Sequence, residues 1–234
     1  MDLTLQDVAE LLNVSESTIE RWIADSKIPY YRLKHQYRFS RSEVENWVLS
    51  WKQGNFFEPK TVERLGTQQF GLFRSVNKGG VWADVPGKNK EEVVRAAMKR
   101  IAGELNLDAE VLTDLLLDRE RLMPTGLGYG IAVPHTRDFL LQEAFDVVAI
   151  VFPKKPIEYG SLDGQPVHTL FFLFACDDKR HLNLLAKIAY FCGKKENLEL
   201  LKKKPTRVDL LESIKAWESN LRVPAPELSK VSGR

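Results

Sequence analysis

The chain has 234 residues, 44% of them hydrophobic and 28% charged, which excludes a disordered or collagen-like polymer and is ample for a packed core. With 34 Lys and Arg against 32 Asp and Glu, the net charge of +2 names no partner, so any nucleic-acid surface must come from local segregation of charge. Two cysteines, Cys176 and Cys192, are too few for a disulfide scaffold and read as buried packing in a reducing compartment.

The opening residues MDLTLQ have no basic or apolar leader pattern, and no apolar run reaches the ~18 residues of a membrane helix, so a cytoplasmic protein without membrane insertion is expected. The length leaves one large domain or two unequal ones open. Thr4 and Asp7 are spaced to cap a first helix carrying Val8, Leu11 and Leu12, with Asn13 suited to a left-handed end. Ser15 caps a second helix with Ile19, Trp22 and Ile23 on one face. After Pro29 the period changes to two. Tyr31, Leu33, Tyr37 and Phe39 alternate around Lys34-His35-Gln36, the pattern of a β-hairpin. Ser40 and Glu43 read as a capping box for a third helix through Val44, Trp47 and Val48.

Residues 53–65, broken by Gly54 and Pro59, read as a linker between a unit at 1–52 and a second at 66–222, with a loose tail at 223–234. In the second unit, Asn89 and Glu92 cap a helix with Val93, Val94, Ala97, Ile101 and Leu105. Asp108 opens another through Val111, Leu112, Leu115 and Leu116. Phe145 to Phe152 and Val167 to Ala175 are short apolar runs suited to buried strands, and helices follow Asp178 and Thr206. The expected fold class is α/β, a sheet flanked by helices, beside a small N-terminal domain.

Two short helices with Ala9, Asn13, Val14 and Ile19 at packing positions fit a helix-turn-helix. Between Ser26 and Ser42 lie Lys27, Arg32, Lys34, Arg38, Arg41 and His35 with no acid, so positive charge gathers on the hairpin. Such a hairpin supplies phosphate contacts from Arg32, Lys34 and Arg38, while Ser17, Thr18 and Arg21 on the second helix face bases, Arg21 being able to bind guanine through two hydrogen bonds. The competing reading is a protein-contact domain with a solvated basic edge, since Glu16 and Glu20 oppose a polyanion. The pieces VAELL, VSESTIERWI and YRFSRSEVENWV resemble the excisionase and MerR-like winged helix-turn-helix family, which implies a small DNA-binding domain.

Residues 125–135 read TGLGYGIAVPH. Gly126, Gly128 and Gly130 lack dinucleotide-binding spacing and suit a tight turn feeding a short strand. His135 follows Pro134, which restricts the ring's exit direction. Arg119 closes the preceding helix and His181 opens a later one. A neutral imidazole, a guanidinium and a helix start together suit a transferable phosphoryl group. The plainer readings are a helix-end cation for Arg119 and a surface residue for His181. No Cys, His or carboxylate cluster has metal-ligand spacing, so neither metal nor cofactor is expected.

The stretches LLLDRERLMPTGLGYGIAVPHTR, KKPIEYGSLDGQPVHTLFFLFA and HLNLLAKIA resemble the fructose, mannitol and nitrogen-type enzyme IIA domain of the phosphoenolpyruvate-dependent phosphotransferase system (PTS). The resemblance implies that His135 is phosphorylated on Nε2 by phospho-HPr or a nitrogen-branch HPr-like protein. It also implies that Arg119 stabilises the phosphoryl group and that His181 is the second active-site histidine; His168 receives no role. Met123-Pro124 and Thr136 depart from the family pattern; neither removes a reacting group, and both bear on how partners dock. No enzyme IIB or IIC region is read, so a relay needs separate partners.

The resulting expectation is a regulatory, nitrogen-type phosphocarrier with a DNA-binding head, in which the charge of phosphohistidine alters docking against the basic hairpin. The alternatives are a sugar-specific enzyme IIA passing its phosphate to a separate enzyme IIB, with the head as a protein-contact module, or a DNA-binding protein whose IIA-like part is a scaffold. No heptads that would build a dimer are present.

Overall fold

The computed structural model describes residues 2–12, 14–50, 71–136, 141, 145–161 and 163–221. The expected left-handed Asn13, the linker 53–65, the limits at Gly66 and Arg222 and the tail 223–234 lie outside the described residues. No described helix is long and apolar enough to cross a membrane.

The head runs β1 (Asp2–Leu3), α1 (Leu5–Leu12), α2 (Glu16–Ala24), β2 (Tyr31–Leu33), β3 (Gln36–Ser40) and α3 (Arg41–Leu49). Thr4 and Asp7 cap α1 reciprocally: the Thr4 amide donates to Asp7 Oδ2 at 2.9 Å and the Asp7 amide to Thr4 Oγ1 at 3.1 Å. Ser15 Oγ accepts from the Thr18 amide at the start of α2. Lys34 and His35 both take positive φ, 47° and 65°, as a two-residue hairpin turn between right-twisted strands requires. Gln36 therefore belongs to the strand. The hairpin also gains a third strand that no pattern announced: Asp2 pairs with Ser40 and Leu3 with Phe39, giving the order β1-β3-β2. The capping box expected at Ser40 does not form, because its hydroxyl meets Ser42 Oγ at 3.1 Å and makes no cap bond to the backbone.

The second unit runs α4 (Gly71–Gly79), β4 (Val81–Val85), α5 (Lys90–Leu105), α6 (Ala109–Leu122), β5 (Gly126–Gly128), β6 (Ile131–Ala132), β7 (Val147–Pro153), β8 (Thr169–Phe174), α7 (Asp178–Cys192), α8 (Lys195–Lys202) and α9 (Arg207–Asn220). Asn89, Asp108 and Thr206 cap α5, α6 and α9 through side-chain oxygens that accept first-turn amides. The mixed sheet has the order β4-β7-β8-β6-β5, with β4 parallel to β7 and β6 parallel to β8. The antiparallel pair β7–β8 is its centre, and both strands are buried throughout.

Side chains of these two strands alternate between two cores. Val147, Ala149, Val151, Leu170, Phe172 and Phe174 face α5 and α6. Val148, Ile150, Phe152, Phe171 and Leu173 face α4, α7 and α9, and that core runs on into the apolar residues of the head. A sheet covered on both faces accounts for near-continuous apolar strands.

Two expected core positions shift. Val111 is exposed and Thr113 is buried in its place, its hydroxyl donating to Ala109 O at 2.7 Å. Cys192 is buried as expected, but Cys176 is only half-buried, and both are free thiols.

At the far end, α9 is tied to the start of α4. Glu218, 2% exposed, accepts from the amides of Leu72 (3.1 Å) and Phe73 (2.9 Å) and from Lys187 Nζ (2.8 Å). On the other flank α1 and α3 of the head pack on α7.

Candidate active site

The site is assembled where α6, the β5–β6 hairpin and the start of α7 meet. The last turn of α6 carries Arg119 and Glu120, which are 4% and 3% exposed. Glu120 accepts from both the amide and the hydroxyl of Thr125, at 2.9 and 2.6 Å, with Lys90 Nζ 3.6 Å away. These bonds fix the chain between α6 and β5. Arg119 Nη1 donates to Met123 O at 2.9 Å, so this cation does serve the helix end, but Nη2 points into the site.

The glycines shape the hairpin as a turn. Gly130 has φ +78°, and a Cβ there would lie 2.3 Å from His168 Cδ2, so the ring of His168 packs where only a glycine fits. His168 Nδ1 and Thr169 Oγ1 are 2.8 Å apart, and His168 stands outside the cluster described next. From β6 the chain continues to His135, which forms a single parallel bridge with Leu173 of β8, while Pro134 O accepts from the Leu173 amide at 3.0 Å. His135 is thereby locked to the central strand.

The ring of His135 is entirely buried. Its Nδ1 lies 2.8 Å from Val133 O; a carbonyl can only accept, so Nδ1 carries a proton. His181, in the first turn of α7, is 1% exposed rather than a surface residue, and its ring meets that of His135 edge-on at a centroid distance of 5.0 Å. Burial, with the charge of His135 adding to it, pushes the His181 imidazole down to about 3, so it is neutral at pH 7. The three residues that sequence reasoning grouped, His135, Arg119 and His181, thus come together.

A fourth residue was not foreseen. Glu45 of α3, 2% exposed, places Oε1 2.7 Å from His135 Nε2 and 2.9 Å from Arg119 Nη2. With Nδ1 already protonated, the Nε2 contact to a carboxylate requires a second ring proton, so this geometry is that of an imidazolium. Burial alone would raise the carboxyl of Glu45; the hydrogen bond and charge of His135, then His181 and Arg119, override it and hold Glu45 well below the usual carboxylate range. The head element facing His135 is therefore α3, through Glu45. Glu45, His135 and His181 also offer ligand atoms within 4.8 Å of one another. Arg119 on the same oxygen disfavours a cation there and favours an anion.

The expected DNA contacts divide. Ser17, Arg21, Arg32 and Lys34 are exposed. Arg38 is half-buried, donating to Tyr37 O at 2.9 Å and to Gln36 Oε1 at 2.6 Å. Thr18 does not face outward: it is 8% exposed, with its hydroxyl 3.0 Å from Ser15 Oγ, because it lies on the core side of α2.

Comparison with known proteins agrees with this architecture. Residues 74–217 match the family described as "Phosphoenolpyruvate-dependent sugar phosphotransferase system, EIIA 2", and residues 3–52 match a "Helix-turn-helix domain". A nitrogen regulatory protein of Pseudomonas aeruginosa is 33% identical over 146 residues, covering 61% of this chain and 94% of that protein. The mannitol-specific phosphotransferase enzyme IIA component of Geobacillus stearothermophilus is 30% identical over 125 residues, covering 53% and 83%. The crystal structure of nitrogen regulatory protein IIA-Ntr from Neisseria meningitidis superposes with a TM-score of 0.53 at 24% identity, over 61% of this chain and 94% of that one, a likeness of fold. A histidine locked to the central strand, the resemblance of its flanking motifs and a family match over most of the chain converge: this protein belongs to the EIIA type 2 family of the PTS and carries a helix-turn-helix unit ahead of the family domain.

Proposed function

We propose that the protein is a nitrogen-type regulatory phosphocarrier of the cytoplasm that accepts a phosphoryl group on His135 Nε2 from phospho-HPr or an HPr-like protein. The observation that carries this reading is the division of labour on the His135 ring. Nδ1 is held by the Val133 carbonyl, so Nε2 is the nitrogen left for chemistry, and it is aimed at a position shared with Arg119. In the reaction, Nε2, once it has given its proton to solvent, attacks phosphorus in line through its lone pair. The new N–P bond forms as the donor's bond to phosphorus breaks, and that electron pair leaves with the donor. Arg119 supplies positive charge to the transferring oxygens, and neutral His181 packs against the ring and orients it. The exposed Ser17, Arg21, Arg32 and Lys34 support a DNA-binding head through which phosphorylation reaches transcription.

Incubation with enzyme I, HPr and labelled phosphoenolpyruvate tests the reading. Wild type takes up label, His135→Ala takes up none, and Arg119→Ala is slowed by about 10²–10³-fold, the usual effect of removing one preorganised donor. Equal labelling of His135→Ala would end it. Similarity to the mannitol-specific component supports a second reading, transfer onward to a separate enzyme IIB, which predicts sugar-coupled turnover when one is supplied.

A further inference from the structure

Glu45 belongs to the head, yet its carboxylate lies against the two groups that phosphoryl transfer to His135 would use. Its Oε1 takes a hydrogen bond from Nε2 of His135 at 2.7 Å and another from Arg119 at 2.9 Å, as an oxygen of a bound phosphoryl group would. The contact is part of a built interface. Arg41, also on α3, pairs with Asp178 at the start of α7 at 2.8 Å. Asn183 Nδ2 donates to Leu11 O at 3.3 Å across α1 and α7. Lys179 reaches Glu10 at 3.5 Å on the rim, and Leu12 lies beside Ala186 and Tyr190. With the head seated, His135 has no exposed surface, so no donor protein reaches it.

We infer that the head is an intramolecular plug, in which the Glu45 carboxylate stands in for the phosphoryl group and makes head docking and phosphorylation of His135 mutually exclusive. This rests on His135 being the phosphoacceptor. Two locks act together. The carboxylate occupies the place of the incoming group, and the proton on Nε2 that bonds it removes the lone pair needed for attack. Attack requires Glu45 to withdraw and the Nε2 proton to pass to solvent. Once Nε2 carries a phosphoryl group, its negative charge repels the carboxylate from the same cations, and the head stays off.

The site is also better furnished than a carboxylate needs. Arg119 Nε and His181 Nε2 are buried and have no hydrogen-bond partner among the described residues. A phosphoryl group brings three terminal oxygens where a carboxylate brings two, so exchange of one anion for the other is favourable in kind. Docking uses α1 and α3, whereas Ser17, Arg21, Arg32 and Lys34 are exposed in the docked form. Release therefore repositions the DNA-facing residues; it does not uncover them.

Diethyl pyrocarbonate, which acylates accessible unprotonated imidazole, reads the plug without any PTS partner. The test compares the full chain with Glu45→Lys, which sets like charge against Arg119, and with Arg41→Glu, which breaks the pair with Asp178. Peptide mass spectrometry follows acylation of His135. With an open fraction of ~10% or less in wild type, both variants react at least ~10-fold faster, and phosphoryl labelling accelerates by a similar factor. Acylation of wild-type His135 as fast as in both variants overturns the plug. Protection that fades on dilution assigns the plug to a second copy of the chain and overturns the intramolecular form. Faster acylation in the variants with no phosphoryl labelling in any protein leaves the plug standing and refutes the phosphoacceptor reading instead.

Discussion

Two carboxylates, Glu218 and Glu45, are buried to the same 2% exposure, but they are held in different ways. Glu218 accepts from two backbone amides at the start of α4 and from Lys187, and both of its oxygens are used. Backbone amides in the first turn of a helix have no partner within it, so this carboxylate caps α4 and ties it to α9 inside one unit. Among the described residues, Glu45 accepts only from side chains, through one oxygen, across the boundary between the head and the second unit. Its partners can all be rehydrated by moving the head away, with no helix unwound. Equal burial thus marks a staple in one place and a latch in the other.

The largest expected effect separates the two. Glu218→Ala removes the buried carboxylate that Lys187 and two amides share and should lower the unfolding free energy by ~3–5 kcal/mol. Glu45→Ala should lower it by no more than ~1–3 kcal/mol, because withdrawal of the head lets water reach Arg119 and His135. Urea unfolding followed by hydrogen exchange in β8 reports on the second unit alone. Equal losses there from both substitutions would erase the distinction between staple and latch.

The latch was also the part least legible in the sequence, and the reason is physical. Local signals served well: Thr4, Ser15, Asn89, Asp108 and Thr206 cap helices through neighbours two to three residues away. The two central strands announced themselves by short, continuous apolar runs, and their starts shifted only from Phe145 to Val147 and from Val167 to Thr169. Short elements were missed where their stabilisation is tertiary. The two residues of β1 gain meaning only from pairing with β3. The α4–β4 segment went unread, as β4 lies on the edge of the sheet and leaves Ala83 and Asp84 exposed.

At the site, His135, Arg119 and His181 were legible through family motifs, and the folded chain brings them together. Glu45 was not. A glutamate between Val44 and Asn46 on an amphipathic helix reads as solvent-facing, and its partners are 74 and 90 residues away. Ser40 and Thr18 are smaller instances of the same lesson, since a hydroxyl's partner is chosen by whichever neighbour the fold brings near.

Titration sharpens the comparison next. The latch contains two imidazoles packed edge-on, and the staple contains none. His181 falls from 6.5 to about 3 on folding, so between these values the unfolded chain binds the extra proton. Stability contributed through this group is full above pH ~6.5 and is lost as pH falls, by at most ~1.4 kcal/mol per unit. Glu45, also lowered on folding, adds a loss of the same sign only below its unfolded value of 4.5. Urea midpoints at pH 7 and pH 5 should therefore fall more in wild type than in His181→Gln, which removes the titrating ring. Parallel pH profiles would mean that His181 is hydrated and that the latch is open at rest.

The smallest effect concerns the surface that the latch leaves uncovered. On the proposed DNA-binding reading, Arg21, Arg32 and Lys34 are exposed in the docked head, Arg32 with Nη2 donating to Tyr37 Oη at 3.3 Å, and Arg38 is half-buried and donates twice within its own hairpin. Each cation that neutralises one phosphate should contribute ~0.9 to the slope of log affinity against log salt. Arg32→Ala and Lys34→Ala should each lower that slope by about this amount, with a smaller change for Arg38→Ala. Arg21→Ala should instead weaken binding most at the preferred sequence, by ~1–3 kcal/mol if it bonds a guanine. Thr18→Val is the control, because its hydroxyl is already engaged with Ser15 on the core side of α2. Binding that loses as much affinity in Thr18→Val as in Arg21→Ala would show that α2 does not face DNA through the exposed side seen here. Absence of any salt dependence would make the head a protein-contact module. In that case the staple and the latch would differ in strength alone, with no transcriptional output behind the latch.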